Sequence, residues 1–395
     1  MGRVLAVPLC TLKILYPHTQ LAPSLENFLC YLLIQIKHFS GQDPAIQMND
    51  FSSRLITWQK QFGRHDLPWQ KTTDPYAIWV SEIMLQQTQV SAVVAYYSKF
   101  MMRFPAISTL AIATQDEVLQ HWSGLGYYSR ARNLHHAAQT IMHTHDGEFP
   151  QDFVAIQTLP GIGRSTAAAI ASFAFNQVQT ILDGNVKRVL TRHFAVAGWP
   201  GTPKIEKQLW VLAESLLPRT EMVAYTQGLM DLGATLCTRS KPKCGSCPLS
   251  SSCEAYKQNL VGTLPTPKPR KTIPEKQITM LILMHGNEVL LEKRPPTGIW
   301  GGLWSFPEAE ATDNFAAISH DKFGISVQID KPLPILSHAF THFKLHILPQ
   351  PLQVNKQLTQ TNESGQVWLS LEDAIDAAIP TPVRKILHDL IQRGC

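Results

Sequence analysis

At 395 residues the chain is too long for one hydrophobic core, so two domains are expected. Its 44% apolar residues suffice for packed cores, yet no apolar run approaches the ~20 residues that span a bilayer, which argues against a helical membrane span. A net charge of +5 with 16% charged residues permits nucleic-acid binding without pointing to it, and seven cysteines, four of them clustered, do not form the pattern of a secreted disulfide scaffold.

Residues 1–50 differ from the rest of the chain: no acidic residue precedes Glu26, and the apolar run 28–36 is broken by Gln35. Two readings stay open. The segment is a targeting sequence, although it lacks an ordered basic start, apolar centre and small-residue cleavage site, or an upstream extension with Met48 as the working initiator. Phe51, Leu55, Trp58 and Phe62 then make a helical stripe, which Leu67-Pro68-Trp69 breaks. Pro75 and Tyr76 open a second helix with Ile78, Trp79, Ile83 and Met84 on its apolar face. Glu82 sits among them, with Gln86 one turn on along the same side. Glu82 is either an exposed residue at the stripe edge or a partly desolvated acid. In the second case its pKa rises, and it becomes a usable general acid at neutral pH.

Thr114-Gln115-Asp116-Glu117 is a capping box that starts a further helix, and Ser123-Gly124-Leu125-Gly126 ends it. Tyr127 and Tyr128, followed by Arg130 and Arg132, fit a surface that stacks bases and contacts phosphates, with core packing accounting for one tyrosine. Leu159-Pro160-Gly161-Ile162-Gly163 joins two helix-like runs, 152–158 and 164–175. Pro160 ends the first run. Gly161 and Gly163 allow a tight turn that leaves N–H groups uncovered, so the next helix can offer its positive end to a phosphate oxygen; a plain helix connection is the alternative. Ala167-Ala168-Ala169 permits close helix packing. Cys237, Cys244, Cys247 and Cys253 are spaced C-x6-C-x2-C-x5-C. That compact spacing favours a four-cysteine [4Fe–4S] cluster over zinc, which prefers separated C-x2-C pairs. Arg239, Lys241 and Lys243 lie in the first cysteine loop, as a phosphate-contacting finger or as a solvated face. Cys10, Cys30 and Cys395 have no evident role.

Pro265, Pro267, Pro269 and Pro274 stiffen a linker that also carries Lys268, Arg270 and Lys271. The period then changes. Runs 278–284 and 289–293 flank a His285-Gly286-Asn287-Glu288 turn, further strands are expected at 325–329, 336–348 and 367–369, and helices at about 314–322 and 371–378.

The stretch Ser81-Glu82-Ile83-Met84-Leu85-Gln86-Gln87-Thr88-Gln89-Val90, those at 124–132, 159–167 and 182–188, and the cysteine loop together resemble the MutY-type adenine DNA glycosylase family. The resemblance runs from about residue 51 to the C-terminus. It implies an all-α helix-hairpin-helix glycosylase domain with an iron–sulfur loop (51–259), a Pro-rich linker (260–275) and a smaller α+β Nudix-like domain (276–395), with 1–50 as an extension. It further implies one [4Fe–4S] cluster of structural and DNA-sensing character. The implied partner is double-stranded DNA with adenine opposite 8-oxoguanine or guanine, bound by a monomer in the cytoplasm, at the nucleoid if bacterial.

In such a family adenine is flipped out and its N-glycosidic bond is cut. Glu82 matches the acid that protonates adenine N7, Asp183 the carboxylate that stabilises the cationic sugar, and Tyr127 and Asn185 the lining of the reaction site. Gln87 matches a strand-contacting wedge, and Gly161, Gly163 and Ser165 the DNA-binding hairpin. Strand-nicking relatives carry a lysine where Ser165 stands; a serine cannot form their imine, so a monofunctional enzyme is expected. Phe340-Thr341-His342 matches the lesion-reading loop, with threonine in place of serine. Nudix hydrolysis is not expected, because Gly302 and Glu308 are followed by Ala311-Thr312-Asp313-Asn314-Phe315 and the magnesium-holding Arg-Glu-x2-Glu-Glu block is absent. The rival readings are a non-catalytic iron–sulfur DNA-binding protein, a strand-nicking lyase, which Ser165 disfavours, and a nucleotide hydrolase.

Overall fold

The structure is a computed structural model that describes residues 44–269, 272–357 and 365–393. Residues 1–43, Cys10 and Cys30 among them, and Arg270, Lys271 and Cys395 lie outside those described. The first helix, α1 (Pro44–Phe62), starts ahead of the expected boundary at residue 51 and runs through Met48. A 3-10 turn at Pro68–Lys71 comes next, and then α2 (Pro75–Leu85), whose first turn is capped by Asp74. Beyond it lie α3 (Val90–Arg103), α4 (Ile107–Ile112) and α5 (Gln115–Trp122); the Thr114 hydroxyl caps α5 by accepting from Glu117 N at 3.2 Å, as the capping box predicts. The helical half continues with α6 (Ser129–Thr144), α7 (Phe153–Thr158), α8 (Arg164–Phe175), α9 (Gly184–His193), α10 (Pro203–Ser215) and α11 (Met222–Asp231). A π-helical turn at Leu232–Leu236 delivers the chain to Cys237, and α12 (Glu254–Lys257) lies just past the cysteine loop.

Helix α2 is the centre of this half. Tyr76, Ile78, Trp79, Val80, Ile83 and Met84 are all buried, so it has apolar contacts all round, not the single apolar face its spacing suggested. The small residues Ala167 and Ala168, both fully buried, let α8 lie close against it. A helix buried this deeply leaves its last carbonyls without partners unless a side chain reaches them. Arg130 of α6 does so. Its guanidinium donates to the carbonyls of Ile83 (2.9 Å), Met84 (2.9 Å) and Gln86 (2.6 Å), and also to Leu125 O, Gly126 O and Thr88 Oγ1. Burial pushes its pKa down to about 10, so it stays charged at neutral pH.

The second domain is built on one mixed sheet, with β1 (Glu275–His285), β2 (Glu288–Lys293), β3 (Trp304–Ser305) and β4 (Glu308–Ala309) followed by α13 (Phe315–Phe323). After α13 come β5 (Ile325–Ile329), β6 (Leu336–Ala339), β7 (Lys344–Gln357) and β8 (Gln366–Ser370), then α14 (Leu371–Asp376) and α15 (Thr381–Arg393). The strand order is β3-β2-β1-β7-β5, with β4 beside β1, β6 beside β7 and β8 beside β2. Among the described residues only β1 and β7 pair in parallel. Alternation along β1 divides the packing: Met280, Ile282 and Met284 face the core shared with α14, α15 and the helical half, and Leu281 and Leu283 face the core under α13. The run expected as one strand at 336–348 is two, β6 and β7, folded back at residues 340–343. No helix among the described residues is long and apolar enough to cross a membrane.

The two domains meet along α5 and the start of α6. Asp116 takes the Lys293 ammonium and accepts from Trp304 Nε1 at 3.2 Å, and Arg132 Nη1 donates to Gly301 O at 2.5 Å. Ser123 Oγ donates to Ile379 O at 2.8 Å and accepts from Arg384 Nη2 at 3.0 Å.

Arg130→Met should destabilise the helical half by roughly 3 kcal/mol or more, since each buried carbonyl left unpaired costs on the order of 1 kcal/mol. Arg130→Lys should recover only part of that, because an ammonium cannot reproduce the planar fork. Denaturant unfolding of the two variants checks this; a loss within error of zero for Arg130→Met would refute the role.

Candidate active site

Glu82 is the one charged residue of α2. It is half-buried and lines a cavity of about 380 Å³ together with Leu67, Trp69, Ile78, Val90 and Gln227. Burial pushes its carboxyl pKa up to about 8, and the nearby charge of Asp183 pushes in the same direction. Glu82 is thus the desolvated acid of the two alternatives its sequence context allowed.

Asp183 belongs to a different local structure. It is the N-cap of α9, and its Oδ1 accepts from Val186 N at 2.8 Å. The cap is legible in Asp183-Gly184-Asn185 ahead of Val186, Val189 and Leu190, an Asx residue before an apolar helical stripe. Burial also raises the Asp183 pKa above the ordinary carboxylate value, against the N–H groups of Val186 and Asn185 and the charges of Arg188 and Lys187, which favour its charged form. The charge of Asp183 in turn favours the protonated form of Glu82. Two carboxyls in such different environments at one site can do acid–base chemistry on a glycosidic bond.

Ser165 Oγ accepts from Leu182 N at 3.0 Å, so the hydroxyl fixes the backbone immediately before Asp183. Asn185 Oδ1 accepts from Arg188 Nη2 at 2.7 Å, and Gly233 packs so close that a Cβ there would lie 2.5 Å from Asn185 Cβ. Tyr127 is 43% exposed with φ 49°, and Gln87 is exposed with φ 59°. Both hold a left-handed backbone that non-glycine residues rarely adopt, and Arg130 pins the neighbours of both. Gly161 has φ 80°, and a Cβ would meet Asn133 Cβ at 2.7 Å; Gly163 opens onto free space at the start of α8. The hairpin thus presents the N-terminus of α8 to solvent.

Cys237, Cys244, Cys247 and Cys253 line one small cavity with Arg192 and apolar neighbours such as Leu232 and Leu249. Among the described residues no group of three or more His, Cys, Asp or Glu side chains forms a site for a single metal ion. The four thiols nevertheless share that one cavity, a donor set whose chemistry suits iron and sulfur. Burial pushes the Cys247 thiol up to about 11 and raises those of Cys244 and Cys253, with neighbouring cysteines adding to the rise. Four gathered thiolates need a cationic centre, and iron supplies one. Arg192 Nη1 donates to Cys237 Sγ (3.4 Å) and to Thr238 O (2.7 Å), and Arg188 Nε donates to Cys237 O (2.7 Å). Arg239, Lys241 and Lys243 are exposed on the loop.

Two arginines expected on a nucleic-acid surface are committed elsewhere: Arg130 is buried and Arg132 bonds Gly301 of the second domain, while Tyr128 is the tyrosine taken by core packing. Only Tyr127 of that group remains open, with Arg130 under its ring at 5.5 Å. Phe340 is not a free wedge: its ring stacks on Phe343 at 4.5 Å and packs against Trp300 and His338. Thr341 and His342 stand exposed beside it, Thr341 Oγ1 lying 3.3 Å from His342 Nδ1. Sequence reasoning missed Arg188, Arg192 and Trp300, since nothing in their spacing distinguishes them from surface charge or ordinary core.

Residues 80–215 match the model of the HhH-GPD superfamily base excision DNA repair protein, 237–253 the iron-sulfur binding domain of endonuclease III, and 278–389 the NUDIX domain. The adenine DNA glycosylase of Buchnera aphidicola subsp. Baizongia pistaciae is 41% identical over 342 residues, covering 85% of this chain and 95% of that protein. The human adenine DNA glycosylase is 32% identical over 410 residues, covering 87% and 74% respectively. Among solved structures, a thermostable thymine-DNA glycosylase matches with a TM-score of 0.50 at 32% identity, over 53% of this chain and 97% of that one. By this similarity and its extent, the chain belongs to the adenine DNA glycosylase family.

Proposed function

We propose that the protein hydrolyses the N-glycosidic bond of adenine mispaired with 8-oxoguanine or guanine in double-stranded DNA. The observation that carries this reading is the pair of carboxyls with divergent environments: burial pushes the Glu82 pKa up to about 8, and Asp183 caps a helix amid N–H groups and cations that favour its charge. Protonated Glu82 gives its proton to adenine N7 and turns the base into a better leaving group. Asp183 then faces the oxocarbenium-like sugar with a negative charge favoured by the N-terminus of α9, until water adds to C1′ and its proton returns to the Glu82 carboxylate. Tyr127 and Asn185 bound the site, and Gln87 enters the gap left by the flipped base. Gly161, Gly163 and the N-terminus of α8 take a backbone phosphate. Arg239, Lys241 and Lys243 take further phosphates on the other side of the site.

The iron–sulfur group is a [4Fe–4S] cluster held by Cys237, Cys244, Cys247 and Cys253, and when bound it braces the loop that carries the three cations. Ser165 makes the enzyme monofunctional, because its hydroxyl cannot form an imine with the sugar and is already engaged by Leu182 N. Phe340-Thr341-His342 meets the opposite base, with Thr341 and His342 as its polar edge. We assign residues 51–259 to the glycosylase domain, 260–275 to the linker and 276–395 to the lesion-reading domain. The protein works as a cytoplasmic monomer, at the nucleoid if bacterial.

Single-turnover release of free adenine from a duplex carrying one adenine:8-oxoguanine pair, beside the same duplex with adenine:thymine, tests the reading. Release from the mispair alone is expected. Glu82→Gln should lower it by at least ~10²-fold, the scale of a lost general acid, with little change in DNA affinity. Wild-type release should also fall as pH rises through about 8, since the acid must be protonated to act. Near-normal rates in the variant would remove Glu82 from its role.

A second experiment concerns the strand. After adenine release the backbone should stay intact until alkali or heat is applied, and borohydride should trap no covalent complex. Ser165→Lys should gain some trapped product. Efficient trapping by the unaltered protein would mean that another amine, such as Lys187, attacks the sugar.

A further inference from the structure

Beside the Asp116 contacts of α5, the junction between the domains is held at both ends of one segment, residues 123–132. At its start Ser123 bonds Ile379 and Arg384, and at its end Arg132 bonds Gly301. Between these anchors lie Tyr127, with its left-handed backbone, and Arg130, which grips the end of the Glu82 helix. On the other side of the junction, Gly301 follows Trp300, whose own φ is 55°. The Trp300 ring packs against Phe340 (5.5 Å) and His338 (5.7 Å), next to the exposed Thr341 and His342.

The turn between these contacts has little freedom. A Cβ at Gly301 would lie 2.6 Å from Pro296 O, and one at Gly302, where φ is 78°, would lie 3.2 Å from Gln115 Oε1 of α5. Backbone packed this closely against both domains passes a displacement on; it has no room to absorb it. We infer that Trp300 and Arg132 are positioning residues that couple the base opposite adenine to the reaction site. The base seated at Phe340-Thr341-His342 shifts Trp300, Gly301 carries the shift to Arg132, and Arg132 sets the Tyr127–Arg130 segment beside Glu82. This rests on the proposal that Phe340-Thr341-His342 meets that base. Such coupling alters the rate of base release according to the opposite base, without Arg132 touching DNA.

The test uses the full chain with its cluster and measures single-turnover adenine release from adenine:8-oxoguanine and adenine:guanine duplexes. Arg132→Met should cut the ratio of the two rates about five- to tenfold, the effect of one hydrogen bond, and leave the adenine:guanine rate little changed. Arg132→Lys should restore part of the ratio, and affinity for an uncleavable mispaired duplex should not move. Combined with Phe340→Ala, Arg132→Met should have no additional effect on the ratio, because both act on one route. Equal slowing of both substrates by Arg132→Met, or independent multiplication of the two effects, would overturn the coupling. Loss of the ratio in Phe340→Ala with a normal ratio in Arg132→Met would also overturn it while leaving the lesion-reading loop standing. An unchanged ratio in Phe340→Ala would instead defeat the loop reading on which the coupling rests. Should Arg132→Met fail to fold, Trp300→Phe is the second probe, with the same shrinkage expected and an unchanged ratio contradicting it.

Discussion

A buried guanidinium is the constraint on which the helical half depends. Arg130 satisfies the carbonyl end of α2 and the turn at residues 125–126 with one planar group, so two chain segments are fixed by a single side chain. Without it α2 could not end inside the protein, because unpaired carbonyls are too costly to bury. Because α2 does end there, Glu82 can sit among apolar residues while Gln87 and Tyr127 emerge on either side. The strained backbone at these two positions is held by the same fixture.

The proposed chemistry rests on a difference between two acids that look alike in sequence. Glu82 lies mid-helix with Ile83 and Met84 beside it, where burial acts with little to oppose it. Asp183 lies at a helix start, where backbone N–H groups, Arg188 and Lys187 stabilise its charge. Arg188 also ties Asn185 to the carbonyl of Cys237, so the start of α9, with Asp183 at its cap, and the cysteine loop share one scaffold. The site is thereby assembled from two helices of opposite electrostatic character.

Much of this is legible in the residues alone. The run 164–175 and the strand 325–329 emerge with the expected bounds, because Gly163 and Asn176 punctuate the one and Gly324 the other. The cysteine spacing stands out because ligand chemistry is tied to local sequence, whereas the residues around Glu82 leave it open between an exposed and a desolvated reading, and only the family resemblance singles it out. Arg130 and Arg132 read wrongly as nucleic-acid contacts, since an arginine beside tyrosines looks the same whether it is buried or facing a phosphate. The strand break at 340–343 is invisible because Ala339-Phe340-Thr341-His342-Phe343 holds no glycine, proline, asparagine or aspartate to announce a turn. Helix α15, with Val383, Ile386, Leu387 and Leu390 at helical spacing, is missing from the expected elements although the C-terminal stretch does carry its pattern. The depth of Glu82 is a tertiary property, which no local spacing encodes.

The central claim is that Glu82 is a neutral acid at physiological pH because it is buried next to an ionised Asp183. Its most direct test is a titration of the Glu82 carboxyl itself, by side-chain carbon NMR of selectively labelled protein, in the unaltered chain and in Asp183→Asn. A midpoint near 8 is predicted for the unaltered protein, moving down but staying above the ordinary 4.5 once the neighbouring charge is removed. A midpoint near 4.5 in the unaltered protein, or one indifferent to Asp183→Asn, would contradict the account.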